Sequence, residues 1–294
     1  MSIVALIKGR RGASGFGYAS TAEEVTAGLD LQGKTILVTG VNSGLGLETA
    51  RVLHKRGARI LGSARSADKA AEACRGLGPS AVPLACELSE PASVRACVAE
   101  VQRQQLQLDA VICNAGVMAL PRREVRYGHE LQFLTNHIGH FILVQGLLPQ
   151  LTARGRVVML SSSAHNGAPS AGIQFDDITL ARNYTPWRAY GQSKLANLLF
   201  ARSLARRFAG TTRTANAVHP GVIATNLMRH MNPLARAVMP IGEAIALKTT
   251  GQGAATQCYV AVHPATAAIS GAYFADCNVA RTSAAGRDLE LAEK

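Results

Sequence analysis

The sequence has no apolar run of the roughly 18 to 20 residues that a membrane-spanning helix needs, so no membrane span is expected. It also has no recognisable export segment. Met1 to Ile7 is apolar but too short for a secretory core, and Lys8, Arg10 and Arg11 follow it instead of preceding it. With no long Ser-rich transit segment either, a cytoplasmic protein is the expectation. The six cysteines (Cys74, Cys86, Cys97, Cys113, Cys258, Cys277) include no C-x-x-C pair and no accompanying histidine spacing. This excludes the usual zinc frameworks and points to reduced thiols. Acidic residues are the scarcer charge: 19 Asp and Glu stand against 31 Lys and Arg, a net +12. Such a balance suits nucleic acid, an acidic surface or a polyanionic small molecule. The arginines are spread along the chain, with no nucleic-acid motif and no interleaved aromatic platform, so no nucleic-acid partner is expected. No repeat, composition break or linker divides the 294 residues, and 48% hydrophobic content is enough for one sizeable core.

What is present is an alternation of strand and helix patterns. Residues 1–31 read as an N-terminal arm, loop-like around Gly9, Gly12, Gly15 and Gly17. Thr21 with Glu24 three residues on forms a capping box that opens a short helix over about 22–29. Lys34 to Gly40 is a short β-branched run ending in glycine, and Leu47 to Leu53 is a helical pattern. Between them lies Gly40-Val41-Asn42-Ser43-Gly44-Leu45-Gly46. Strand, glycine-rich turn and helix in that order are the context of a dinucleotide site: glycines let the backbone approach a pyrophosphate, and the helix N-terminus offers free amides. The second strand, Ala58 to Ala64, ends where a ribose-binding carboxylate would stand for NAD. Ala64 and Arg65 stand there instead. A guanidinium in place of a carboxylate favours a 2′-phosphate, hence NADP(H).

A third strand at 81–85 precedes Glu87-Leu88 and a helix over about 91–105. A fourth, 108–113, ends in Asn114-Ala115-Gly116, at a strand end where such sheets place ligands. A long helix is expected over 131–148, carrying Asn136, with His137 and His140 three apart but no third metal ligand, so no metal is expected. Further strands read at 155–160, 214–218 and 271–274, with helices at 187–208 and 251–262; the Met- and Pro-rich stretch 222–250 reads as a substrate loop. The whole is a single doubly wound α/β domain of Rossmann type, residues 32–294, with a central parallel sheet flanked by helices. Tyr190 and Lys194 stand one helical turn apart, so an ammonium would lower the phenol's pKa and suit it to proton exchange with a carbonyl oxygen. Taken alone, the pair serves equally well as a solvated helix face.

Thr39-Gly40-x-x-x-Gly44-x-Gly46, Asn114-Ala115-Gly116, Asn136, Ser162, Tyr190-x-x-x-Lys194 and Pro220-Gly221, in this order, resemble the short-chain dehydrogenase/reductase superfamily. Asn136 to Phe141, Ser161 to His165 and Ser193 to Asn197 resemble its retinol-dehydrogenase and WW-domain-oxidoreductase branch. Gly12 to Phe16, Thr21 to Val25 and Trp187 to Gln192 are similar to the plant members associated with the chloroplast inner-envelope translocon and their bacterial relatives. The resemblance implies an NADP(H)-dependent oxidoreductase acting on a small-molecule carbonyl or alcohol, with Asn136, Ser162, Tyr190 and Lys194 catalytic. It places Gly40, Asn42, Ser43, Gly44, Leu45 and Gly46 at the cofactor phosphates and Arg65 on the 2′-phosphate. Glu87 and Leu88 fall beside the adenine, Asn114, Ala115 and Gly116 along the ribose path, and Pro220, Gly221, Val222 and Thr225 at the nicotinamide, whose ribose Lys194 and Tyr190 also meet. Glu87 replaces the usual Asp, and Cys113 stands where many members have Asn. Pairing through 125–150 and 187–208 would give a homodimer or homotetramer. An NADP-binding regulatory partner with little turnover is the other reading, which the intact Ser-Tyr-Lys set disfavours.

Overall fold

The computed structural model describes residues 11–223 and 248–294. Thr225 and most of the expected substrate loop lie outside the described residues. Aliphatic runs form the central strands β1 (Thr35–Thr39), β2 (Arg59–Ala64), β3 (Val82–Ala85) and β4 (Leu108–Cys113). A small hairpin of β5 (Val125–Arg126) and β6 (His129–Glu130) follows. β7 (Leu151–Leu160), β8 (Thr214–His219), β9 (Tyr273–Ala275) and β10 (Asn278–Val279) complete the strands. The main sheet runs β10-β9-β8-β7-β4-β1-β2-β3, parallel except for the antiparallel β9–β10 edge. Strand order reverses between β1 and β4, and the crevice beyond the strand ends at such a point is where open α/β sheets bind ligands.

Alternation along each strand feeds two cores. Leu37, Leu61, Val111 and Val157 face one side. There they pack against α4 (Pro91–Arg103), α6 (Gly139–Leu147) and α7 (Pro186–Arg207). Ile36, Val38, Ile60, Ile112 and Val158 face the other side, with α2 (Gly44–Lys55) and α8 (Thr250–Val262). The arm belongs to this second core. Its helix α1 (Ala22–Val25) carries the Thr21–Glu24 capping box and buries Ala22 and Val25. Glu23 draws Arg51, Lys55 and Arg56 of the α2 end onto the arm.

Several elements depart from the sequence reading, and the arm helix ends at Val25, short of the expected 29. α3 (Ala67–Leu77) fills the gap between β2 and β3. Its buried residues are the small Ala70 and Cys74, so it leaves little apolar periodicity to read. β7 starts at Leu151, before the expected Gly155, because Leu151 pairs with Leu108 across a register shift. Thr152 to Arg154 are polar and partly exposed, which hides that extension. The long helix over 131–148 is interrupted: α5 (Leu131–Phe133) passes through a π-helical turn, Leu134–Ile138, before α6. At its exit Gly139 lies so close to β3's continuation that a Cβ would sit 2.4 Å from the Leu88 carbonyl oxygen. Gly139→Ala is therefore expected to destabilise the protein by about 1–3 kcal/mol, read as a lower urea midpoint at unchanged m-value.

Candidate active site

The turn after β1 folds directly onto the strand end. Gly40 adopts φ +75°, and a Cβ at Gly46 would lie 2.2 Å from the Gly40 carbonyl oxygen and 2.5 Å from Asn114 Nδ2. Only glycine fits there. The N-cap of α2, Ser43, makes no side-chain capping bond, so the first amides of the helix open toward a cavity without one. That cavity has a volume of about 390 Å³ and lies along the ends of β1, β2, β4 and β7. Of the residues expected to touch a cofactor, it is lined by Gly40, Asn42, Ser43, Gly44, Leu45, Arg65, Glu87, Leu88, Asn114, Ala115, Gly116, Tyr190, Lys194 and Pro220. Glu87 is held in place, its Oε1 accepting from the Ser89 amide at 3.1 Å and hydroxyl at 2.9 Å. Gly46 packs behind the turn, Gly221 against Lys248, and Val222 is exposed. The donor set fits a dinucleotide: an uncapped helix N-terminus at one place, and two cations, Arg65 and Lys69, further along. Among the described residues neither cation has an ion pair. Lys69 escaped the sequence reading, although its spacing of four from Arg65 was the available signal; Val117, Thr135 and Ser161 also line the cavity.

The catalytic candidates converge at the other end. α7 docks on the end of β7 through three bonds: Lys194 Nζ and Asn197 Nδ2 both donate to the Leu160 carbonyl at 3.0 Å, and Ser161 Oγ donates to the Lys194 carbonyl at 2.7 Å. Gly191 permits the close approach, since a Cβ there would meet the Ala164 carbonyl oxygen at 2.7 Å. Tyr190 is thereby buried beside Ser162, and Lys194 Nζ lies 5.5 Å from the phenol ring centre. Ser163, the neighbouring serine, is exposed. Asn136 is fully buried in the π turn; its Oδ1 accepts from the Val117 amide at 2.8 Å, and its Nδ2 donates to the Val117 carbonyl and Ser193 Oγ at 2.9 Å. It pins the loop after β4 to α7.

The family model for Enoyl-(Acyl carrier protein) reductase matches residues 40–275. The short-chain dehydrogenase TIC 32 B, chloroplastic, of Brassica napus is 42% identical over 100% of this chain and 96% of its own. The chain belongs to the short-chain dehydrogenase/reductase family. Human retinol dehydrogenase 14 is 37% identical over 90% of this chain and 84% of its own length. A crystal structure of a protein from Mycobacterium paratuberculosis aligns with TM-score 0.74 at 32% identity, covering 92% of each chain. A short-chain dehydrogenase from Burkholderia cenocepacia, in complex with NADP, aligns with TM-score 0.66 at 25% identity over 83% of this chain and 96% of that one. Among the described residues no helix is long and apolar enough to cross a membrane.

In this short-chain dehydrogenase the histidines after Asn136 are structural. His140 Nδ1 lies 2.9 Å from the Asn136 carbonyl and Nε2 lies 2.9 Å from Thr39 Oγ1. A carbonyl only accepts, so Nδ1 carries the proton and Nε2 accepts from threonine. Thr39 Oγ1 in turn accepts from the Asn114 and Ala115 amides at 2.9 Å. No sequence pattern marks this link between β1, β4 and the π turn, whose partners are 101 residues apart. Burial pushes His140 down to about 4, consistent with a neutral ring.

The expected electrostatic pairing of Tyr190 and Lys194 needs correction. Burial pushes the Tyr190 phenol up to about 12, with the Ser162 hydrogen bond pulling the other way. Burial also pushes Lys194 down to about 8. Lys194 Nζ donates its hydrogen bond to the Leu160 carbonyl, and desolvation is what dominates the phenol. Between pH 8 and 10 the folded lysine has lost its proton while an unfolded one, titrating near 10.5, still binds it, so stability rises with pH. Measured by urea unfolding without added cofactor, wild type is expected to gain about 2–3 kcal/mol over Lys194→Met across that window.

Proposed function

We propose that this protein is an NADP(H)-dependent carbonyl reductase or alcohol dehydrogenase. The observation that carries this reading is the buried Tyr190 phenol beside Ser162, at the margin of a cavity whose far end holds Arg65 and Lys69. Bound NADPH would supply the hydride. The chain's own residues supply position and a proton. Gly40 to Gly46 and the α2 amides hold the phosphates, and Arg65 pairs with the 2′-phosphate. Ser162 and Tyr190 donate hydrogen bonds to the carbonyl oxygen and fix its place. A phenol titrating near 12 is protonated at neutral pH and serves as the acid, giving its proton to that oxygen. The Lys194 charge, 5.5 Å from the ring, stabilises the phenolate that results. In alcohol oxidation the same groups run in reverse. Asn136 acts through Val117 and Ser193, keeping the wall opposite Lys194 in register.

The NADP complex of the Burkholderia relative supports the cofactor assignment. A panel of aldehydes, ketones and quinones, followed by NADPH absorbance, should reveal turnover that Tyr190→Phe abolishes while its NADPH affinity stays within about twofold. Full activity in Tyr190→Phe would sink the reading. Arg65→Ala should weaken NADPH by roughly 10- to 100-fold, the loss of one charge-assisted contact, while leaving NADH unchanged. Equal losses for both would remove Arg65 from the phosphate.

A further inference from the structure

Lys248 is an unusual residue to bury. Its side chain is 1% exposed, and its ammonium lies 2.5 Å from Asp276 Oδ1 and 4.9 Å above the Tyr18 ring. A buried ammonium is costly unless paired, so this one must be held by its partners for a reason. The stem supplies it. A Cβ at Gly221 would lie 2.8 Å from Lys248 Cδ and 3.0 Å from Cε, so the lysine fills the space beside that glycine, whose φ is +93°. The Lys248 amide also donates to the Val222 carbonyl at 2.9 Å, and Ile223 pairs with Lys248 as a parallel bridge. One residue thus braces Gly221 and Val222, directly after Pro220 on the cavity wall.

The partners of Lys248 come from elsewhere in the chain. Asp276 sits in the tight turn between β9 and β10, where Asp276 and Cys277 both adopt positive φ, +51° and +63°. Asn278 holds that turn, its Nδ2 donating to the Asp276 carbonyl at 2.7 Å and to the Phe16 carbonyl at 3.0 Å. The Ser14 amide donates to Asn278 Oδ1 at 3.0 Å. Burial and the Asp276 charge both push the Tyr18 phenol up, which reflects how closely arm and turn are packed. We propose that Tyr18, Asp276 and Lys248 form a socket through which the N-terminal arm positions the Pro220–Val222 wall of the cofactor cavity. These are positioning residues, and the inference rests on the reading that this wall holds the nicotinamide end of NADP(H).

The test separates the two ends of the cofactor. NADPH spans the whole cavity, whereas adenosine 2′,5′-bisphosphate carries only the end that Arg65 would meet. Lys248→Met keeps the stem against Gly221 and removes the charge. By calorimetry it should weaken NADPH about tenfold or more while leaving adenosine 2′,5′-bisphosphate within about twofold. Asp276→Asn and Tyr18→Leu should shift NADPH the same way and carry the test if Lys248→Met does not fold. The double variant Lys248→Met/Asp276→Asn should be no weaker than Lys248→Met, as for residues acting as one unit. Unchanged NADPH binding in these variants, or equal losses for both ligands, would overturn the socket alone. A wild-type protein that bound neither ligand would overturn the cofactor reading, and the socket with it.

Discussion

The Leu160 carbonyl, at the end of β7, is the point on which the site depends. It accepts from Lys194 Nζ and from Asn197 Nδ2, residues three apart on α7, while the adjacent Ser161 hydroxyl donates to the backbone of that same turn. A strand end normally leaves its last carbonyl to solvent or to a loop. Here it is the peg on which the helix carrying the phenol hangs. Helix rotation and height are both fixed by this arrangement, since one carbonyl cannot satisfy two donors three residues apart at any other register. Tyr190, one turn earlier, is then delivered to Ser162.

The other side of the site is held by an equally local device. Asn136 grips Val117 at both its amide and its carbonyl, while its own carbonyl receives His140, and His140 receives Thr39 at the end of β1. The π turn adds one residue to the helical path between Leu134 and Gly139. Such insertions recur at functional sites because they redirect a side chain without ending the helix. Here the redirected side chain ties the loop after β4 to Ser193 on α7, so the two helices that frame the chemistry are coupled through a buried amide.

Much of this was legible in the sequence, and the reason is physical. Gly46 is demanded by a turn that leaves no room for a side chain and Gly40 and Gly44 by their positive φ, and the apolar runs of β1 and β4 are buried on both faces, so both write a strong pattern. The Thr21–Glu24 capping box was readable because both partners lie within one turn. What escaped was long-range or small. α3 buries only alanine and cysteine. The Thr39–His140 bond joins residues 101 apart. The raised phenol of Tyr190 reflects burial, which a spacing of four residues does not reveal. Lys248 gave no signal at all, because its importance lies in the shape of Gly221 and the charge of Asp276, both remote in sequence from the arm.

The positive balance of the chain also takes on a definite meaning once its cations are placed. Arg51, Lys55 and Arg56 converge on Glu23, and Arg51 reaches Glu48 as well, so the charge at the end of α2 is spent in joining arm to domain. Lys248 is consumed by Asp276. The exposed pairs at Glu23 and Glu48 contribute little stability each, but they remove positive charge from the surface available to ligands. Arg65 and Lys69 are among the cations that make no ion pair among the described residues, and these two line the cavity. A net +12 spread evenly would attract any polyanion without selection. At the end of β2, one helical turn apart and beyond the uncapped α2 terminus, these two cations concentrate positive charge on the cavity itself.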